Sequence, residues 1–279
     1  MANFKVVGDS CCDFTKEMKE DFGFIEVPLT LSIGDYVVTD DDNFVSADFL
    51  RKMRASTECP KSACPSPDDY MKVMDCEEDV YVVTLSDKLS GSYNSAVQAQ
   101  KLLKEEKGKT NIYVFNSCSA SAGQYLIAMK IHELATKGKS FLEVIVEINL
   151  FIAGQKIFFV LEDLNILRKN GRLNPVQAVL TNVLNVKLIM SGTEDGNIYK
   201  IGQALNIGRA LTKLAETVTK QATDCAEKIL TITHCDCVER ALSIKEQILA
   251  KCPFKESVIL ESGGISTMYA NAGGVIVSF

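Results

Sequence analysis

The chain has 279 residues, 47% of them hydrophobic and 24% charged, with a formal net charge of −6 and a mean hydropathy of +0.07. That is enough chain for one large domain or two small ones around a buried core, and the acidic balance argues against a nucleic-acid binder. Two histidines are sparse material for a histidine-rich metal site or a two-histidine relay.

The first half alternates strands and helices. Lys5-Val6-Val7 is a short apolar run closed by Gly8-Asp9-Ser10. Val27 to Ile33 and Tyr36 to Thr39 are expected as strands around Gly34-Asp35, and Ala47 to Ala55 has helical spacing. Ser66-Pro67-Asp68-Asp69 has the form of a helix start, with a cap hydroxyl, Pro at the first position and acids in the first turn. Tyr81 to Leu85 is a buried-type strand, followed by a helix from Ser92 to about Glu106. Ile112 to Phe115 is the next strand and Ala122 to Thr136 the next helix. This alternation predicts a parallel sheet covered on both faces.

Phe141 to Ile152 is expected as a bridging helix, and the pattern changes near residue 150. The expected division is therefore 1–150, an N-terminal α/β/α domain with a parallel sheet, and 151–279, a C-terminal mixed α/β domain. In the second part, Lys156 to Leu161 reads as a strand, Glu162 to Lys169 as a helix closed by Asn170-Gly171, and Asn174-Pro175 opens a helix through Leu184. Val186 to Met190 and Asn197 to Ile201 form a hairpin. Ile207 to Gln221 is a long amphipathic helix. Lys228 to Thr233, Ser257 to Glu261 and Gly274 to Phe279 are strands, with a helix over Val238 to Ala250.

The ten cysteines contain no Cys-x-x-Cys, and neither Cys59/Cys64 nor Cys235/Cys237 has a matching second pair at zinc-site spacing. They are expected as free thiols packed as small hydrophobes in a reducing, cytoplasmic setting. The first residues do not form a signal peptide, and the longest apolar runs are too short to span a bilayer. Gly108-Lys109-Thr110 and Gly138-Lys139-Ser140 lack the earlier glycine of a P-loop, His132-Glu133 lacks a second His four residues on, and no Gly-x-Ser-x-Gly elbow occurs. His132 and His234 read as structural residues.

The informative segment runs from Thr84 to Ala96, through Leu89-Ser90-Gly91-Ser92-Tyr93. A strand ends, a glycine-containing polar turn follows and a helix begins, offering unpaired N–H groups and hydroxyls to a phosphate or carboxylate. Taken alone, it is also an ordinary serine-capped helix. It stands in order with Asp9-Ser10-Cys11-Cys12-Asp13, Ser62-Ala63-Cys64-Pro65-Ser66, Asn116 to Gln124 and Leu164 to Leu173. Together these motifs resemble the DegV family of fatty-acid-binding proteins over nearly the whole chain.

The resemblance implies two α/β domains with a lipid pocket at and beneath their interface. It implies that Ser62 stands where the family has a carboxylate-binding Thr, that Ser90 gives a second hydroxyl with help from the Gly91 N–H, and that Arg172 supplies positive charge. Ala63 and Cys64 replace the family's Ser and Gln. The family's carboxy-terminal His-x-Gly-Pro-Gly corresponds to Ala270-Asn271-Ala272-Gly273-Gly274, so the His is missing, and Tyr269, Asn271 or water would take its place. A basic residue common after the hairpin is Leu205 here. Phe158, Phe159, Val160, Ile166, Leu167 and Leu188 are tunnel candidates.

The implied function is a carrier that binds a long-chain fatty acid such as palmitate, stearate or oleate. It would present the carboxylate to a separate ATP-dependent fatty-acid kinase. No cofactor, metal or nucleic acid is expected, and at most transient membrane contact. Two alternatives remain from the residues: an enzyme with a Ser or Cys nucleophile in the same cleft, with Cys64 or Cys118 as candidates, and a phosphate-ligand sensor without lipid.

Overall fold

The computed structural model describes residues 3–173 and 185–279; the helix expected from Asn174 to Leu184 lies outside them. Strands β1 (Phe4–Asp9), β2 (Phe24–Val27), β6 (Asp79–Thr84) and β7 (Ile112–Asn116) form a four-stranded sheet in the order β2-β1-β6-β7. All of its pairs are parallel. Its side chains alternate between two apolar layers, as the two-residue period of a strand requires. Val7, Val80, Val82 and Val114 meet α3 (Pro67–Met74) and α4 (Ser92–Lys107) through Tyr70, Met74, Ala99 and Leu103. Val6, Tyr81, Val83 and Phe115 meet α5 (Ala122–Thr136) and α6 (Phe141–Gly154).

The stretch expected as one strand from Val27 to Ile33 is two strands in two sheets. Pro28 has no N–H to give a ladder, so β2 stops at Val27. The chain restarts as β3 (Thr30–Ile33), the centre of a small antiparallel sheet between β4 (Tyr36–Thr39) and β5 (Lys61–Ala63). Two short helices, α1 (Lys16–Phe22) and α2 (Ser46–Ala55), complete this part.

The chain changes sheets after α6, which continues through residue 150 to Gly154. Strands β8 (Ile157–Val160), β9 (Val186–Gly192), β10 (Ile198–Leu205), β11 (Ile229–His234), β12 (Glu256–Glu261) and β13 (Val275–Ser278) form a mixed sheet in the order β10-β9-β8-β13-β11-β12. Only β11 and β12 pair in parallel among the described residues. One face is covered by α8 (Ile207–Gln221) and α9 (Val238–Leu249), whose Leu214, Val218, Ile244 and Ile248 pack on Phe158, Val160, Ile232 and Val277. Helix α5 packs on β1 and β6 of the first sheet and on β11 and β13 of the second, so it lies between them.

The helix expected over Glu162 to Lys169 is shorter: α7 covers Asn165–Lys169. The Asp163 carboxylate accepts the Asn165 N–H at 2.8 Å, an Asx turn that delays the helix start. The carboxy-terminal part adds α10 (Gly264–Ala270), which packs back on α2 and on the Ser10–Cys12 turn.

Candidate functional site

The second sheet turns its other face toward the carboxyl ends of the parallel strands, the usual side for ligands in such sheets. A cavity with about 840 Å³ of empty space, the open solvent at its mouth included, lies there. Alternate positions on β8 and just after it contribute to its walls: Ile157, Phe159 and Leu161 line it, while Phe158 and Val160 point into the opposite core. Leu85, Leu167 and Ile265 add further apolar wall. Of the other tunnel candidates, Ile166 borders a shallow neighbouring pocket and Leu188 packs in the cluster beside the cavity.

The mainly apolar lining also carries polar groups, among them Ser62, Ser90, Arg172 and Tyr269, with Ser119, Ser121, Ser266 and Asn197 elsewhere in the wall. Each of the first four is placed by a local device. Ser62 lies in β5, directly opposite Leu31 of β3. Opposed residues in an antiparallel pair share a face, so Ser62 turns inward with the fully buried Leu31 while Lys61 and Ala63 are exposed. Its hydroxyl lies 3.4 Å from that of Tyr269, on α10.

Ser90 sits in the turn between β6 and α4. The N–H groups of Leu89 and Ser90 both donate to the Ser86 carbonyl, and the Ser86 hydroxyl donates to Gly196 O across to the second sheet's hairpin at 2.9 Å. The Ser90 hydroxyl accepts the Ser92 N–H at 3.2 Å, while Gly91 occupies the cap position of α4. An added Cβ on Gly91 would stand 2.9 Å from the Cys64 sulfur, so the glycine lets the two loops close against each other.

Arg172 is delivered by a Schellman motif at the end of α7. Gly171 has φ +74; its N–H donates to Arg168 O at 3.0 Å, and the Arg172 N–H donates to Leu167 O at 2.8 Å. The guanidinium then donates from Nε to Leu89 O at 3.0 Å and from Nη1 to Asn170 O, tying α7 to the Ser90 turn. Among the described residues no carboxylate forms an ion pair with it.

Gly91 and Asn271 are not in the cavity wall. Asn271 ends α10 at φ +54 and faces the shallow pocket with Cys59, Pro60 and Lys169. Ala270 borders the cavity together with Tyr269.

Beneath these groups lies a feature that the motif reading did not interpret. Asp9, Asp13 and Asp40 are all buried. Asp13 accepts from the Ser121 and Ser266 hydroxyls and from Gly263 N at 2.9 Å. Asp40 accepts from Gly264 N at 2.6 Å and Ile265 N at 2.8 Å. Two carboxylates thus hold the start of α10, the element that brings Tyr269 and Ile265 to the cavity. Burial pushes Asp13 up to about 7 and Asp9 up to about 6, and it raises Asp40 as well.

Neither histidine borders the cavity. His132 packs edge-on against Phe4 and Phe22, and His234 accepts the Cys237 N–H at 3.4 Å. All ten cysteines are free thiols. Cys118 does line the cavity, but burial and then Asp87 and Asp195 push its thiol up, away from the reactive thiolate. Among the described residues, no group of three or more metal-ligating side chains is arranged for a metal ion, and no helix is long and apolar enough to cross a membrane.

Fold and site together define a class: a two-sheet α/β protein with a mainly apolar cavity whose wall carries hydroxyls and a guanidinium, an arrangement able to hold an apolar chain with a polar end. The chain belongs to the DegV family, whose model, described as uncharacterised proteins, matches residues 3–279. A DegV domain-containing protein of Streptococcus gordonii is 32% identical over 280 residues, covering 99% of this chain and 98% of the relative. A DegV family protein from Ruminococcus gnavus, solved with vaccenic acid, superposes with a TM-score of 0.96 at 44% identity, over 100% of both chains. The Streptococcus pneumoniae fatty acid kinase B3 protein, solved loaded with linoleic acid, gives 0.91 at 28% identity, over 99% of this chain and 98% of that one.

Proposed function

We propose that this chain is a cytoplasmic carrier that binds one long-chain fatty acid, such as palmitate, stearate or oleate, and presents its carboxylate to a separate ATP-dependent fatty-acid kinase. The observation that carries this reading is the cavity, mainly apolar and with Ser62, Ser90, Tyr269 and Arg172 in its wall. Fatty acids held by relatives of the same fold support it. The kinase step takes its support from the kinase name of the Streptococcus pneumoniae relative. The free cysteines accord with a reducing compartment.

The energetics agree. A sixteen-carbon chain has about fourteen methylenes, worth on the order of 11 kcal/mol gross at about 0.8 kcal/mol each. Ordering the chain and desolvating its carboxylate take back several kcal/mol. In this reading Ser62 and Ser90 donate to the carboxylate, Arg172 supplies the opposing charge, and Tyr269 occupies the room left by Ala270. Gly91 and Asn271 support from behind, one letting the Cys64 loop close and the other ending α10. In this reading catalysis belongs to the partner; the raised Cys118 thiol disfavours a nucleophile there, and Cys64 is exposed and outside the cavity wall.

The test is mass spectrometry of the lipid extracted from denatured, purified protein, followed by titration of the stripped protein with palmitate and oleate. We expect about one equivalent of a long-chain acid and uptake of either ligand. An extract free of fatty acid, together with no uptake, would sink the reading. Adding the kinase and ATP to the loaded protein should yield acyl-phosphate.

A further inference from the structure

The segment from Asn116 to Gln124, which the head-group site does not use, makes the turn between β7 and α5, and Cys118 to Ser121 within it line the cavity. Cys118 and Ser119 also line a second, more polar pocket, as do Ile157 and Gly192. These four residues are the partition between an apolar space and a polar one. They stand together: an added Cβ on Gly192 would lie 2.9 Å from Ile157 Cγ2 and 3.9 Å from Cys118 O.

The backbone of Ser119 is fully engaged. Its N–H donates to Ser117 Oγ at 3.1 Å, and its carbonyl accepts the Ser86 N–H at 3.0 Å and the Ser117 hydroxyl at 3.1 Å. Its side chain is not engaged: Ser119 is only 4% exposed, and its Oγ has no hydrogen-bond partner. A buried hydroxyl without a partner forfeits what water gave it, so such groups are normally paired. Oγ rests in the notch left by Gly123, where an added Cβ would stand 2.0 Å from it. No hydrogen bond holds it there, and one staggered step of χ1 releases it to meet a guest.

A plain acyl tail has nothing to offer this hydroxyl. A tail that ends in a hydroxyl of its own brings one hydrogen and two lone pairs, and it can donate to Ser119 or accept from it. A second carboxylate fits less well. The polar pocket beyond the partition is bordered by Glu194 as well as Lys156, so a negative charge meets both signs there, while a neutral oxygen is solvated by either. We propose that Ser119 is the polar contact of a second subsite, at the Ile157 end of the cavity, that takes a hydroxyl at the tail of an acyl chain. The ligand class is therefore ω-hydroxy fatty acids alongside plain ones. This deepens the carrier reading and rests on it.

The experiment is calorimetric titration of stripped full-length protein with myristate, palmitate and stearate and with the ω-hydroxy form of each, repeated on Ser119→Ala. Within a pair the head group and chain are the same, so the ratio of the two affinities reads the tail alone. A hydroxyl buried without a partner weakens binding by about tenfold or more. We expect at least one pair in which the wild type binds the hydroxy acid within about threefold of the plain acid, and in that pair Ser119→Ala should lower the ratio by about fivefold, the scale of one hydrogen bond. A larger loss than threefold in every pair overturns the subsite. A ratio left unchanged by Ser119→Ala also overturns it and puts the hydroxyl in solvent or on another group. No binding of any of these acids overturns the carrier reading and the subsite with it. The ratio is internal to each preparation, so partial misfolding of the variant does not mimic the expected result, and the wild-type ratios need no variant to fold.

Discussion

Burial sets the charge state of the carboxylates under the cavity, and this makes stability depend on pH in a definite direction. Asp9 and Asp13 rise from an ordinary 3.8 to about 6 and about 7, and Glu26 on β2 rises from 4.5 to about 7. A folded pKa above the unfolded value means that the fold favours the protonated form. The stabilisation is fully present below the ordinary carboxylate value and is lost as pH rises through 6 to 7. His132 and His234 are pushed down by burial and act the other way below the ordinary histidine value, but three carboxylates moved by two units or more outweigh them. The melting temperature of the lipid-free protein should fall from pH 5 to pH 8; a flat or rising curve in a thermal scan would contradict this. Arg172 is the second residue with a distinct expectation. Its planar fork spans Leu89 O and Asn170 O, a geometry that a lysine cannot reproduce. Arg172→Lys should keep the charge and yet weaken oleate binding by about tenfold or more, the scale of one or two charge-assisted hydrogen bonds; an unchanged affinity would remove the fork from the head-group site.

Among the elements, those with local signals were legible and those made by distant partners were not. The start of α3 shows in Ser66-Pro67-Asp68-Asp69 because Ser66 and Asp69 form a capping box within four residues. The turn at Asn170-Gly171 shows because the Schellman motif needs a left-handed residue there. Helix α10 did not show. It has no side-chain cap of its own, and its first N–H groups are satisfied by Asp13 and Asp40, more than 220 residues away in sequence. Strand β5 was hidden for a similar reason: Lys61–Ala63, in the four-residue stretch between Pro60 and Pro65, becomes a strand only by pairing with β3. The head-group residues of the cavity were therefore readable as a set of motifs, while the elements that aim Ser62 and Tyr269 were not. Gly264 tests the clamp on α10. A Cβ there would stand 2.4 Å from Asp40 Oδ1 and 2.9 Å from Leu31 Cδ1, both buried. Gly264→Ala should cost about 1–3 kcal/mol of stability and lower lipid affinity as α10 is displaced. A wild-type melting temperature with normal binding would mean that the clamp yields freely.

At the scale of the whole molecule, the two sheets divide the labour. The first supplies loops at its carboxyl edge, and the second supplies an apolar wall. Along β8 and the residue after it the wall positions Leu161, Phe159 and Ile157 extend over roughly 13 Å at the rise of a strand, leading away from Leu167 and Arg172 toward the hairpin of β9 and β10. Beyond Ile157 and Gly192 the surroundings turn polar: a second pocket shares Cys118, Ser119, Ile157 and Gly192 with the cavity and is otherwise lined by groups such as Gln155, Lys156 and Thr193. An acyl tail gains nothing by entering it, so the Ile157–Gly192 end sets the length of chain that fits. A Cβ on Gly192 would meet Ile157 Cγ2 at 2.9 Å, and valine is a good strand former. Gly192→Val should therefore fill the tail end without breaking β9. Each methylene kept out of the cavity weakens binding by about fourfold, so the acids that co-purify with the variant should shift to chains about two carbons shorter, and titrations should show the same reversal of preference. A variant that folds and retains the wild-type distribution of lengths would place the tail elsewhere.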